Sequence, residues 1–370
     1  MAVILIGMDE IARRALKGRG AIGNESSRFE RERRVLVDDG WSGAWVPGGD
    51  EDPPPLRTTV SDDASRTIIA RNDSPDIPFE QSLNPYKGCE HACIYCFARP
   101  THAYLGLSPG LDFETRLFRK RNAADLLAKE LRAKSYTCRP LAIGANTDPY
   151  QPIERDERIT RSVLEVCRDF NQPIGIITKS GLVTRDLDIL APMAAKGLAN
   201  VSVSITTLDR DLARRMEPRA STPPKRLTAV RELVAAGVPV SVLASPMIPG
   251  LNDHEMEAIL EAAAGAGATG ASYILLRLPL EIKDLFEEWL REHVPDRAAR
   301  VLSLIRQARA GALYQSDFGT RMTGTGPIAD LLSRRFKLAT RRLGLGGRRW
   351  ELDCSQFKPP PMRGDQLALL

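Results

Sequence analysis

Three of the chain's six cysteines fall within eight residues, in Cys89-Glu90-His91-Ala92-Cys93-Ile94-Tyr95-Cys96. This C-x3-C-x2-C run constrains the chain more than any other stretch, because three thiolates so close together on an irregular loop can wrap one inorganic centre. A closed structural zinc site takes four ligands, usually as two separated pairs. An ordinary iron–sulfur cluster also takes four cysteines. Three cysteines without an obvious fourth leave one coordination position for something else. Spacing alone keeps two other readings open. One is a zinc site completed by His91 or by Cys138, Cys167 or Cys354, and the other is a cluster used only for structure or electron transfer. Disulfides are not expected, because no export signal is visible and the cysteines are few for the length.

From about Leu83 onward, apolar runs with period two alternate with runs of period 3.6, which argues for parallel β/α units. Strands are expected at 82–85, 141–145, 174–178, 199–206, 238–244 and 271–278, and the first of them delivers the cysteine loop at its C-terminal end. Helices are expected between them at 122–134, 160–170, 186–196, 226–236 and 253–264. In Val201-Ser202-Val203-Ser204-Ile205-Thr206 one face is apolar and the other all hydroxyl. Side chains alternate along a strand, whereas a strand buried on both faces would be apolar throughout. The pattern therefore predicts a barrel enclosing a polar cavity. Tyr273, Leu275 and Arg277 share one side of the last strand, which would place a cation inside. Active sites of β/α barrels lie at the C-terminal ends of the strands. The polar candidates there are Asn146, Thr147, Lys179, Ser204 and the turn Ile248-Pro249-Gly250.

Beyond 279 the pattern becomes helical, at 283–293, 297–310 and 328–343. Between Arg297 and Arg349 stand twelve Lys or Arg against two acids, within a chain whose net charge is only +5. Such a basic region on a mildly acidic body suits a polyanion or simply a solvated helix face. The loop 317–326 reads as a glycine-rich connector that could also cover the barrel mouth. Arg215, Glu217 and Arg219 are further polar candidates after the fourth strand, though they read more readily as a surface ion-pair cluster. Lys17-Gly18-Arg19-Gly20-Ala21-Ile22-Gly23 is a basic, glycine-rich turn, not a phosphate loop, since no strand or Lys-Ser/Thr frames it. No apolar run approaches a membrane span. The apolar start, residues 1–8, lacks a basic leader, so the cytoplasm is the expected compartment. The expected organisation is an N-terminal arm at 1–74, partly extended and with a stiff triple proline at 53–55. A barrel at 75–282, a helical extension at 283–346 and a loose tail at 347–370 follow.

Together with Asn84-Pro85-Tyr86-Lys87-Gly88, Phe97-Ala98-Arg99-Pro100 and Asn146-Thr147-Asp148-Pro149-Tyr150-Gln151, the cysteine run resembles the radical S-adenosylmethionine superfamily. Within it, the likeness is to an uncharacterised family in the spore photoproduct lyase-related branch, and it extends from about Lys17 to Gly346. The resemblance implies an α/β fold, a partial (β/α)6 TIM-like barrel with an N-terminal irregular arm and a basic C-terminal helical extension. It implies that Cys89, Cys93 and Cys96 hold a [4Fe-4S] cluster whose fourth iron binds S-adenosylmethionine. Reductive cleavage would then yield a 5′-deoxyadenosyl radical that abstracts hydrogen from a bulky substrate, nucleic acid among the candidates. Tyr95 would lie against the adenine or contact it through the backbone. Asn146 and Thr147 would meet the cofactor's ammonium, Lys179 its carboxylate and Ser204 its ribose, with Ile248 and Gly250 in the adenine-contacting turn. An electron donor such as flavodoxin or ferredoxin is implied as a partner. One departure stands out: the lyase's hydrogen-donating cysteine falls on Ala145, and alanine cannot serve as a thiol. A non-enzymatic zinc or iron–sulfur nucleic-acid-binding module and a radical enzyme modifying RNA or protein are the competing readings.

Overall fold

The computed structural model describes residues 15–31, 56–346 and 351–361. The expectations for the apolar start, the triple proline at 53–55 and the end of the tail lie outside the described residues. Ten strands are described, in two sheets. The larger sheet runs in the order β10-β9-β8-β7-β6-β3-β2. Its strands are β2 (Ala70–Arg71), β3 (Gln81–Leu83), β6 (Leu141–Ile143), β7 (Ile174–Thr178), β8 (Ala199–Ser204), β9 (Val240–Met247) and β10 (Gly270–Leu275). All pairings from β3 to β10 are parallel, and β2 joins the margin antiparallel. Each parallel pair is linked through helix, as a parallel connection requires. The principal crossover helices are Ala123–Leu131, Ile159–Asp169, Leu187–Ala195, Pro223–Ala235 and Met256–Gly265. The result is the expected open, partial barrel.

Alternation along β8 decides which side chains face where. Val201, Val203 and Ile205 are wholly buried and pack into the main core under the helices. Each such burial contributes roughly 1.5–3 kcal/mol. Ser204 and Thr206 point the other way, into a polar network described below. In β10 the expected alternation fails. Its register shifts between Tyr273 and Leu275, and the strand stops at Leu275. Tyr273 stacks outward on Phe336 at 4.8 Å and Leu275 joins the outer core, so these two do not face the cavity. Arg277 reaches the mouth because the chain has already left the sheet. Its guanidinium lies 5.6 Å from the Phe97 ring.

The smaller sheet, in the order β1-β5-β4, joins β1 (Thr59–Asp62), β5 (Arg116–Arg119) and β4 (Tyr86–Lys87). The cysteine loop leaves from β4 and the chain returns through β5, so this sheet anchors both ends of the insertion. The helices Ile282–His293 and Pro295–Gln307 are no appendage. Phe286, Trp289, Leu290, Val301 and Ile305 share one buried cluster with Cys93, Ile94 and Tyr95. The segment 317–326 is more than a connector. Met322 accepts the amide of Leu275 at 2.8 Å, and Arg321 grips Asp76 at 2.8 Å through Nε, in the turn between β2 and β3. Arg309, fully buried, donates to the carbonyls of Leu275, Leu276, Thr320 and Arg321. The segment thus bridges the two margins of the open sheet. Nor is the tail loose over 351–361. The backbone amides of Asp353 and Lys358 donate to the carbonyls of Gly197 and Phe170, each at 3.0 Å, and Phe357 packs on Tyr136 at 5.3 Å.

Candidate active site

The cysteine loop begins with two left-handed residues, Gly88 at φ 75° and Ala92 at φ 60°. Alanine there costs about 1–2 kcal/mol, so something must hold the turn. Fixed hydrogen bonds do. The backbone amide of Cys89 donates to Phe113 O and that of Ile94 to Met216 O, each at 3.0 Å. Gln151, fully buried, accepts from Glu90 N at 2.8 Å and donates to Gly88 O at 3.2 Å. Arg99 lies beneath the loop and is also fully buried. It donates to the carbonyls of Cys93 at 2.9 Å, Ala92 at 3.3 Å, Pro109 at 3.1 Å and Gly110 at 3.0 Å, and pairs with Glu114.

The three thiols are free; Cys89 and Cys93 are buried and Cys96 partly so. Cys96 packs against both the apolar cluster that holds Cys89 and the one that holds Cys93, so the three belong to one locality. Burial pushes all three thiols up; the Asp148 carboxylate, Cys93 and Cys96 add to the effect at Cys89, and the Glu217 carboxylate and Cys96 add to it at Cys93. Lys179 pulls Cys93 and Cys96 the other way. Three soft donors in a buried loop supply three of the four positions an iron–sulfur cluster takes, leaving one iron open. A single ion fits less well. Among the described residues no three His, Cys, Asp or Glu side chains, the three thiols included, are placed to hold a single metal ion. The partners considered for zinc are elsewhere. The His91 ring faces Asp148, with Nδ1 3.3 Å from Oδ2. Cys167 sits in the helix-side core, and Cys138 lies beside Cys354 and 3.7 Å from Gln172 Oε1.

Above the loop, the strand ends form one polar network. Asp148 accepts from Thr178 Oγ1 and Lys179 N, each at 2.7 Å, and from Tyr150 N at 2.9 Å. Burial opposes its charge, but His91 and these donors outweigh it and hold the carboxyl at about 2. Lys179 Nζ donates to Ser204 Oγ at 3.0 Å, and Ser204 donates to Ser245 O at 3.2 Å. Lys179 also lies 5.8 Å from the Tyr95 ring centroid. Tyr95 is buried, and its hydroxyl donates to Glu217 and lies 3.1 Å from Thr206 Oγ1. Glu217 accepts from Thr206 at 2.6 Å and pairs with Arg226, which also donates to Ser204 O at 2.9 Å. Burial again opposes the charge, and Arg226 and Lys179 overcome it, so Glu217 is held at about 2.

The structure therefore brings Cys93, Cys96, Tyr95, Lys179 and Ser204 together. Thr147 is placed differently from an open acceptor. Its hydroxyl donates to Tyr86 O at 2.7 Å and the residue is 1% exposed. The Asn146 backbone amide donates to Asn84 Oδ1 at 2.8 Å, and the residue lines a crevice of about 230 Å³ with Asn84, Lys87, Lys120 and Tyr104. Ile248 N donates to Asn252 Oδ1 at 2.7 Å. Gly250 is left-handed, φ 78°, and a Cβ there would stand 2.8 Å from Leu304 Cδ1. The close approach it permits in this structure is to the C-terminal helix. Glu217 overturns the surface-cluster reading. Arg215 is exposed on His293 O and Arg219 pairs with Glu90, but Glu217 is 3% exposed inside the site. Sequence reasoning missed Arg99, Glu114, Arg226 and Gln151. Charged side chains in helical or loop text look like surface, and nothing local marks them as buried.

The sequence model of the Radical SAM superfamily matches residues 83–263. The chain is 37% identical to an uncharacterized protein of Mycobacterium tuberculosis over 233 residues, 62% of this chain and 68% of that protein. It is 30% identical to an uncharacterized protein of Methanocaldococcus jannaschii over 174 residues, 47% of this chain and 62% of that one. Among solved structures, a spore photoproduct lyase point mutant superposes with a TM-score of 0.55 at 17% identity, covering 78% of this chain and 79% of that one. The lyase complexed with dinucleoside spore photoproduct gives 0.54 at 15% identity, over 77% of this chain and 79% of that one. At these identities the likeness is one of fold.

Proposed function

We propose a reaction from one premise: the chain belongs to the radical S-adenosylmethionine superfamily and is an enzyme of that type. Its cofactors are a [4Fe-4S] cluster and S-adenosylmethionine. Bound together, these supply reductive cleavage of the sulfonium to a 5′-deoxyadenosyl radical, which abstracts hydrogen from a substrate. Cys89, Cys93 and Cys96 hold the cluster. Lys179 takes the carboxylate of S-adenosylmethionine and Ser204 a ribose hydroxyl, a division that suits a cation and a hydroxyl already 3.0 Å apart. The ammonium goes to the Asn146 side chain at the same strand end, since the Thr147 hydroxyl is spent on Tyr86. Tyr95 is fixed by Glu217 so that its ring, not its hydroxyl, faces the cofactor. Ile248 and Gly250 frame the adenine through their backbone.

The single observation that carries this reading is three free thiols packed within one loop, beside the Lys179–Ser204 pair, in the segment that matches the superfamily. Anaerobic reconstitution followed by dithionite and S-adenosylmethionine should release 5′-deoxyadenosine. An intact cluster that releases none would refute it.

For the substrate we favour a nucleic-acid strand. Arg297, Arg300, Arg306, Arg334, Lys337 and Arg341 are exposed and make no ion pair among the described residues, while Arg335 is held by Glu257 and Arg342 by Glu261. Phe97 follows Cys96 directly and is 46% exposed beside Arg277, a ring on which a base can stack. The reaction is not the repair of spore photoproduct, the ligand in one lyase structure. The donor position is Ala145, and Cys138 lies just before the N-terminal end of β6, so the hydrogen returned to product comes from elsewhere. Filter binding of single-stranded DNA or RNA should weaken steeply with salt; binding indifferent to salt would remove the nucleic-acid part and leave radical modification of a protein.

A further inference from the structure

We propose that residues 19–24 are a strap that clamps the cysteine loop from outside the barrel, with the buried Arg99–Glu114 pair as its hub, and that this strap sets how firmly the metal centre is held and at what potential it is reduced. The proposal rests on the reading that Cys89, Cys93 and Cys96 hold that centre.

The sequence offers only a basic, glycine-rich turn. The structure buries it. Arg19, Gly20, Ala21, Ile22 and Gly23 are covered, and Ala21 shares the apolar cluster of Cys93, Ile94 and Tyr95. Glu114 accepts the amides of Gly20 at 3.0 Å and Ala21 at 2.8 Å with the same carboxylate that pairs with Arg99. Arg99 in turn ties down the carbonyls of Ala92 and Cys93. One ion pair therefore joins the strap, the cysteine loop and the return segment. Two backbone approaches admit only glycine. A Cβ on Gly20 would stand 1.8 Å from Ala92 O, and one on Gly110 would stand 2.2 Å from Gly23 O. Beyond this, Asn24 and Asp112 exchange hydrogen bonds at 2.9 and 3.0 Å. Arg28 runs on to Pro100 O at 3.3 Å and to Glu281 at 2.8 Å, at the start of the C-terminal helices.

The consequence is mechanical and electrostatic. Ala92 is the left-handed non-glycine residue of the loop, and its carbonyl is wedged against Gly20, so moving the strap releases the turn that spaces Cys89 from Cys93. The Arg99–Glu114 pair is neutral as a unit. Removing the carboxylate leaves a buried cation near the centre, and added positive charge stabilises the reduced form. Gly20→Val moves the clamp, Glu114→Gln removes its charge with little change of shape, and Gly18→Asn is the control. Gly18 is left-handed at φ 75° with nothing within 4 Å of a Cβ, and asparagine tolerates that backbone. Each protein is reconstituted anaerobically and read for iron and sulfide content, for loss of the visible absorption under a chelator, and for midpoint potential by redox titration with EPR. Far-UV circular dichroism of the metal-free proteins verifies the fold.

Expected are a several-fold faster loss of iron from Gly20→Val, a higher midpoint potential in Glu114→Gln, and parental behaviour from Gly18→Asn. If Glu114→Gln fails to fold, Asn24→Ala, which cuts only the outer end of the strap, should still speed iron loss. Parental iron retention and potential in folded Gly20→Val and Glu114→Gln would overturn the strap. A parent that takes up no iron and sulfide at all would instead overturn the cluster assignment on which it rests.

Discussion

Substituting Glu217→Gln is the sharpest single test of the site's electrostatics. Glu217 and Arg226 are each 1% exposed at their side chains, and the carboxylate also receives Tyr95 and Thr206. The carboxyl is held at about 2 against an ordinary 4.5. At 1.36 kcal/mol per unit, that depression corresponds to about 3 kcal/mol of folding stability near neutral pH. An independent route gives a similar size, since breaking a buried pair by removing one partner costs about 3–5 kcal/mol. The sign follows from the depression. This stability is fully present above the unfolded value, 4.5, and is lost as pH falls toward about 2. Asp148, also held at about 2, loses its own contribution over a similar window, so the diagnostic quantity is the difference between parent and variant. Urea unfolding of the metal-free protein under reducing conditions should show the variant about 3 kcal/mol less stable at pH 7, with the gap closing in acid. Replacing both partners, Glu217→Leu with Arg226→Met, should recover most of the loss, because apolar replacements of a buried pair are often neutral. A Glu217→Gln protein within about 1 kcal/mol of the parent at pH 7, the range of exposed ion pairs, would refute the reasoning.

Three further predictions follow from named contacts. Lys179→Met should raise the Kd for S-adenosylmethionine roughly 10- to 150-fold in anaerobic equilibrium dialysis, the worth of a hydrogen bond to a charged group at about 1.5–3 kcal/mol; an unchanged Kd would exclude Lys179 from the carboxylate. Asn146→Ala should weaken the same binding while Thr147→Val should not, the latter costing only about 1 kcal/mol of stability through the lost bond to Tyr86. Arg321→Ala should release the 317–326 bridge from Asp76, seen as new protease cleavage there with the remainder of the barrel protected; a cleavage pattern like the parent's would count against the bridge.

What could be read from the text and what could not divides along a physical line. The β/α alternation and the two-faced strand 199–206 were legible because period two and period 3.6 are local properties of the chain, and so was the cysteine run, whose chemistry lies in its spacing. Strand ends moved by a few residues, which periodicity does not fix. The errors were of another kind. Tyr273 and Leu275 were expected inside, but a register shift in β10 turns them out. Glu217 was expected on the surface with Arg215 and Arg219, but it is the buried counter-ion of Arg226. The 317–326 segment looked like a connector until Arg321 met Asp76, 245 residues away.

The sequence by itself determined the layered α/β architecture, the parallel order of strand and helix, and a loop rich in soft donors shortly after the first barrel strand. Each of these depends on residues that are neighbours in the chain. Only the tertiary structure decided which charges are interior, which glycines mark a meeting of two backbones, and that a turn at 19–24 closes over a loop some seventy residues away. Those outcomes depend on desolvation and steric exclusion between distant segments, and neither leaves a periodic trace in the text.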